Sequence, residues 1–290
     1  MCEKDDLDEF AQFDSGLTRR RFGQLALGAG LAAALPTLTF AAETKGQDVD
    51  VKTPAGTADA YFVHPAKGKH PGVLIWPDIF GLRPAFKQMA TRLAESGYAV
   101  LVVNPFYRTR RAPTAPERPD FNDPATREKL MALKATLSTE TAQLDAKAFV
   151  AFLDRQAAVD VRRKIGTTGY CMGGPLVMRT AAALPARIGA GASFHGGGLV
   201  TDQPDSPHLL IPKMKAQFLI AVAENDDAKE PAAKDKLREA FAHARVAAEI
   251  EVYAGTRHGW CPTDSHVYDH GQAEKAWGRM LALFSRALAG

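Results

Sequence analysis

Three residues have the types and the order that covalent acyl chemistry needs: Cys171, Asp226 and His258. Cys171 is the centre of "TTGYCMGGP", with Gly169 and Gly173 two residues to either side. Glycines so spaced let a strand turn sharply into a helix and leave the central side chain exposed on the elbow. A helix starting near Met172 points its free N-terminal amides at the sulfur and supplies an anion site there. The Met172 amide can then donate to a carbonyl oxygen that gains charge during attack.

A nucleophile needs a base, and the base needs an orienting group. "FLIAVAENDDAKEP" ends an apolar run at Glu224–Asp227, and "EIEVYAGTRHGW" ends the next at His258. Asp226 lies 55 residues after Cys171, and His258 follows Asp226 by 32, each enough for one or two strand–helix units. The expected roles are Cys171 as nucleophile, His258 as base and Asp226 as orienter, with Asp227 competing for the last. His64, His70, His208, His243, His266 and His270 lack this placement at a strand end. No histidine pair has metal-ligand spacing beside a third ligand, so neither a metal nor a cofactor is expected.

The elements around these residues alternate. "DVDVKT", "ADAYFVH", "GVLIWP", "YAVLVVN", "KIGTTGY", "IGAGASFHG", "QFLIAVAEN" and "AEIEVYAG" read as about eight strands. The middle ones are continuously apolar, as strands covered on both faces are. The first two alternate and predict an antiparallel start at one edge. Helical patterns fill the gaps at 85–95, 139–156, 172–183, 232–244 and 271–287. This is an α/β chain with a mostly parallel sheet and helices on both faces. The proline- and arginine-rich stretch 105–123 lacks a period and predicts a loop or small cap over the site.

The chain's 290 residues are 46% hydrophobic and carry a formal charge of only +3, without a dense basic run, so nucleic-acid binding is not expected. "TRRRF" at 18–22, the uncharged Gly/Ala-rich stretch that follows and Ala41-Ala42 read as a twin-arginine signal peptide over 1–42. The expected organisation is that signal followed by one catalytic domain at 43–290. It implies the twin-arginine export machinery as a partner and a periplasmic location, with a retained membrane anchor as the alternative. Beyond the signal only Cys171 and Cys261 remain, so no disulfide framework is expected. Cys261 lies three residues after His258, where a reversible disulfide with Cys171 would need it.

With Cys171, Asp226 and His258 in this order, the chain resembles the dienelactone hydrolase family of α/β-hydrolases from about Asp50 to its end. Gly-Tyr-Cys-Met-Gly-Gly at 169–174 carries the resemblance most specifically. "PDIFGLRP" at 77–84 and Arg-His-Gly-Trp at 257–260 support it. The resemblance implies the α/β-hydrolase fold and hydrolysis of small esters or lactones. It implies a carboxylate near the nucleophile at Asp78, where the family usually has glutamate, and a second oxyanion amide at Ile79. It further implies arginine recognition of a substrate carboxylate, with Arg110 as first candidate and Arg108 and Arg111 behind it. The second arginine that the family places shortly after the histidine is missing, since Gly-Trp-Cys-Pro follows His258. Tyr107, His195 and Trp260 are expected to line the pocket. The competing readings are a periplasmic thiol redox protein using Cys171 and Cys261, or a silent binding module on the same scaffold.

Overall fold

A computed structural model describes residues 42–116 and 120–289. The expected signal peptide therefore lies outside the described residues, except for its last position. In chain order the elements begin with β1 (Thr44–Thr53), β2 (Gly56–Pro65), β3 (Gly72–Trp76), α1 (Pro84–Glu95) and β4 (Ala99–Val103). There follow α2 (Pro124–Lys134), α3 (Thr139–Asp154), β5 (Ile165–Tyr170), α4 (Gly173–Ala183) and β6 (Ile188–Phe194). A 3-10 turn at Pro207–Lys213 leads to β7 (Gln217–Ala223), α5 (Glu224–Lys229), α6 (Ala233–His243), β8 (Ala248–Tyr253) and α7 (His270–Ala287).

The eight strands form one sheet in the order β1-β2-β4-β3-β5-β6-β7-β8. The β1–β2 and β2–β4 pairs are antiparallel, and every later pair is parallel. This is the architecture expected from the alternating apolar runs.

The side-chain period of a strand splits the core into two layers. In β3, Leu74 and Trp76 face the layer under α3, α4 and α6, while Val73 and Ile75 face the layer under α1 and α7. All four are essentially fully buried, which is why the run is continuously apolar rather than alternating. Trp76 keeps its indole N–H satisfied by donating to Thr180 Oγ1 of α4 at 3.1 Å.

This topology positions the site. β3 has β4 on one side and β5 on the other, so the strand order reverses there. In open parallel sheets a crevice opens at the carboxyl ends of strands flanking such a switch point. The residues just past those ends are Asp78 and Ile79 after β3, and Cys171 after β5. The turns after β7 and β8 deliver Asp226 and His258 to the same rim.

Two elements depart from the expectation. A helix absent from the expected set, α2, follows the 105–123 stretch, started by Asp123, whose carboxylate accepts from the Thr126 amide at 2.8 Å. The acidic turn after β7 is itself the short helix α5, so Asp226 sits in a helical first turn rather than an open loop.

Candidate active site

Cys171 occupies a backbone conformation that L-residues seldom adopt, with φ of 52°. The turn is fixed from both sides, since the Cys171 amide donates to Phe194 O and the Gly174 amide donates to Cys171 O, each at 3.0 Å. The two framing glycines are required by close approach. A Cβ on Gly169 would stand 2.2 Å from Gly173 O, and one on Gly173 would stand 2.3 Å from Trp76 O. The elbow packs backbone to backbone, which leaves the half-buried Cys171 side chain open to the cavity. Strain of this kind concentrates at functional sites because surrounding structure must enforce it.

His258 sits beside the thiol. Its Nδ1 is 2.6 Å from Asp226 Oδ2, which leaves Nε2 free for the reacting side. Its backbone amide donates to Asn225 Oδ1 at 2.8 Å, so adjacent residues of α5 hold both the ring and the main chain of the histidine turn. Asp227, the competing orienter, is instead ion-paired with Lys234 at 2.7 Å. Burial opposes a charge on His258. The Asp226 carboxylate and the neighbouring Cys171 sulfur outweigh it, and the imidazole is pushed up to about 10.

The Ile79 and Met172 amides make no hydrogen bond within the described residues, although both residues are largely buried on the cavity wall. Both amides are therefore unengaged on the wall that Cys171 also lines.

Asp78 lines the same cavity but is fully engaged. Arg83 donates to both of its oxygens, at 2.6 and 2.9 Å, and the Phe80 amide donates to Oδ1 at 2.9 Å. The same guanidinium grips Asp264 at 2.7 and 3.0 Å. Burial raises the Asp78 pKa in spite of Arg83. Asp78 does not cap α1, whose N-cap is Arg83.

The cavity holds about 670 Å³. Phe121, Met131, Lys134 and Leu137 form its roof, so the cap over the site is supplied by residues 121–137, beyond most of the stretch expected to cover it. His195 lies on the wall with its ring 5.1 Å from that of His258, edge to face. Its ring is buried, neither nitrogen has a hydrogen-bond partner among the described residues, and burial drives its pKa well below 6.5.

Three expected substrate contacts lie elsewhere. Tyr107 is in the core under α3, where its hydroxyl bonds Asp145 Oδ1 and Thr53 Oγ1, both at 2.7 Å. Trp260 is buried beneath the site, stacked on Tyr253 at 4.8 Å. Arg110 is exposed and borders a second cavity, which shares only Phe80, Arg83 and Asp264 with the first. Of its neighbours, Arg108 is committed to Asp145 and Arg111 to Asp50. A bulky residue at the start of the crossover packs inward and cannot also face the rim, which is why Tyr107 left the site. Cys261 is buried in another small cavity beside Tyr170 and Phe194, not on the wall that Cys171 faces.

Sequence reading missed Asn225, Arg83 and Asp264. Asn225 was legible as the neighbour of the orienting aspartate. The Arg83–Asp264 pair spans 181 residues and left no local signal.

The model of the dienelactone hydrolase family matches residues 58–288, most of the chain. The chain is 25% identical over 257 residues to a probable 2-oxo-3-(5-oxofuran-2-ylidene)propanoate lactonase of a Bradyrhizobium species, covering 87% of this chain and 98% of that one. It is 26% identical to the carboxymethylenebutenolidase of Rhodococcus opacus, over 82% of this chain and 90% of that one. Among solved structures, a putative dienelactone hydrolase from Klebsiella pneumoniae superposes with a TM-score of 0.72 at 21% identity, covering 84% of this chain and 99% of that one. The elbow, the switch-point crevice and these matches agree: the chain belongs to the dienelactone hydrolase family.

Proposed function

We propose that this carboxylic ester or lactone hydrolase works through Cys171, His258 and Asp226, with a thioester acyl-enzyme between two half-reactions. In the first, Cys171 Sγ as thiolate attacks the carbonyl carbon, and the carbonyl oxygen takes up the charge facing the Ile79 and Met172 amides. The tetrahedral adduct collapses, the bond to the leaving oxygen breaks, and His258 gives that oxygen its proton. In the second, neutral His258 takes a proton from water as the water attacks the thioester. The acid leaves and the sulfur returns to a thiolate beside the imidazolium. Asp226 fixes the ring tautomer and balances its charge throughout.

The observation that carries this reading is the His258 ring, held at Nδ1 by Asp226 at 2.6 Å and standing beside a thiol on a strained elbow, an arrangement that raises its pKa. A thiolate attacks activated or strained acyl groups well and assists an amide leaving group poorly, which favours small esters and lactones over peptides. The names of the lactonase and carboxymethylenebutenolidase relatives point the same way.

The test compares wild type with Cys171→Ala on p-nitrophenyl acetate and a panel of small lactones. Turnover that disappears with the thiol supports the reading, and equal rates refute it. We further infer export by the twin-arginine route from "TRRRF" at 18–22. Replacing Arg19 and Arg20 by lysine should retain the protein in the cytoplasm, and unchanged fractionation would refute export by this route.

A further inference from the structure

Behind the histidine lies a second, smaller cavity that the two half-reactions leave unused. It holds about 120 Å³, room for several waters at ~30 Å³ each. Its lining is charged, with Asp226, Asp227, Lys229, Glu230 and Lys234. Lys229 and Glu230 are exposed, so this cavity meets solvent away from the roof of the main one. Asp226 lines it and not the main cavity, whereas Gly197, Gly198 and His258 line both. The histidine ring therefore reaches from the back cavity, where Nδ1 meets Asp226, toward the main cavity and the thiol.

What separates the two cavities beside that ring is bare backbone. The three glycines after His195 are not there for one reason. Gly196 is required by close approach: a Cβ on it would stand 2.4 Å from Ser193 Oγ, and one on Gly174 would stand 2.7 Å from Gly196 Cα. Gly198 has a φ of 71°, in the left-handed region that favours glycine. Gly197 has neither constraint. Its φ lies outside that region, and a Cβ on it would meet no atom within 4 Å. The fold tolerates a side chain here, and that side chain would fill the space where the two cavities meet.

The second half-reaction needs a water at His258 Nε2 while the acyl group still occupies the main cavity. Phe121, Met131, Leu137 and Leu176 give that cavity apolar cover, which offers water few of the 2–4 polar partners that typically hold it. The charged back cavity offers them.

We propose that the hydrolytic water reaches His258 from the back cavity, through the gap that Gly197 keeps open. This route rests on the hydrolase reading for its chemistry. The water passes along the ring to Nε2 and gives it a proton as the water oxygen attacks the thioester carbon. The C–S bond then breaks, which returns Cys171 as thiolate and releases the acid. Acylation consumes no water and does not need the gap.

The test compares wild type with Gly197→Ala and Gly197→Val on p-nitrophenyl acetate. Single-turnover release of p-nitrophenolate reads acylation, and loss of the acetyl group from Cys171, followed by intact-protein mass, reads deacylation. In Gly197→Val acylation should stay within about threefold of wild type, while deacylation should slow by about 10- to 100-fold, up to the lower end of what positioned proton transfer contributes. Gly197→Ala, with the smaller side chain, should fall between. Acetyl transfer from Cys171 to added benzyl mercaptan, a bulky thiol that must enter by the main cavity, should be equally fast in wild type and both variants. Unchanged deacylation in Gly197→Val would overturn the route and leave the hydrolase reading standing. Acylation, deacylation and thiol transfer that all fall together would also overturn it, since the substitution would then have distorted the whole site. A wild type that never carries the acetyl group on Cys171 would refute the hydrolase reading, and the route with it.

Discussion

Arg83 holds both carboxylate oxygens of Asp78 at 2.6 and 2.9 Å, and it does so within the cavity that Cys171 faces. Arg83 satisfies the buried Asp78 carboxylate directly, so its charge is met within the cavity wall. It also ties the β3–α1 turn to Asp264, on the segment that follows His258. One guanidinium thus links the side that supplies the Ile79 amide to the side that supplies the base.

Arg83→Met should therefore be damaging out of proportion to its size. It leaves Asp78 buried and unpaired, which costs about 3–5 kcal/mol when one partner of a buried pair is lost. Adding Asp78→Asn in the same chain removes the stranded charge and should recover most of the melting temperature. Thermal unfolding of the two single variants and the double variant measures the coupling. Additive losses would show that the two side chains act independently.

The orienting role separates two adjacent aspartates. Asp226→Asn keeps the shape but removes the charge facing His258 Nδ1, and kcat on p-nitrophenyl acetate should fall by about 10²–10⁴. Asp227→Asn releases only Lys234 and should change kcat less than about threefold. Steady-state rates of the two purified variants decide between them, and a larger loss at Asp227 would reverse the assignment.

Much of this site was legible in the sequence for physical reasons. Cys171 stood out because an elbow needs glycines at fixed offsets, and the Cβ clashes at Gly169 and Gly173 are the reason. Asp226 and His258 stood out because parallel strands deliver their carboxyl ends to one rim. What failed to show was side-chain direction. Tyr107, Trp260 and Arg110 lie near the right elements in sequence, but nothing local tells whether a residue faces core, cavity or solvent. Long-range ion pairs such as Arg83–Asp264 likewise have no periodicity to betray them.

Tyr107 illustrates the consequence. Asp145 is buried, accepts from the Tyr107 hydroxyl at 2.7 Å, and is gripped by Arg108 at 2.6 and 2.7 Å. Asp145→Ala should destabilise the fold by about 3 kcal/mol, because it strands a partly buried guanidinium and leaves the Tyr107 hydroxyl with Thr53 as its one partner among the described residues. The activity per folded molecule should be kept. Denaturant unfolding together with kcat/KM checks both halves, and a selective loss of activity would return Tyr107 to the site.

The charge on His258 makes its contribution to stability depend on pH in a definite direction. Its folded pKa is raised from 6.5 to about 10, so the native state holds the proton more tightly than the unfolded chain. That contribution is fully present below pH 6.5, where both states are protonated. It declines between pH 6.5 and 10, as the unfolded chain releases its proton and the native state keeps it. It is gone above about 10. The comparison is between wild type and His258→Gln, which has no charge to lose. Their difference in melting temperature should be greatest below pH 6.5, shrink through neutrality and vanish near pH 10. A difference that grows with pH would mean that the native ring is neutral, and the imidazolium beside Cys171 would have to be abandoned.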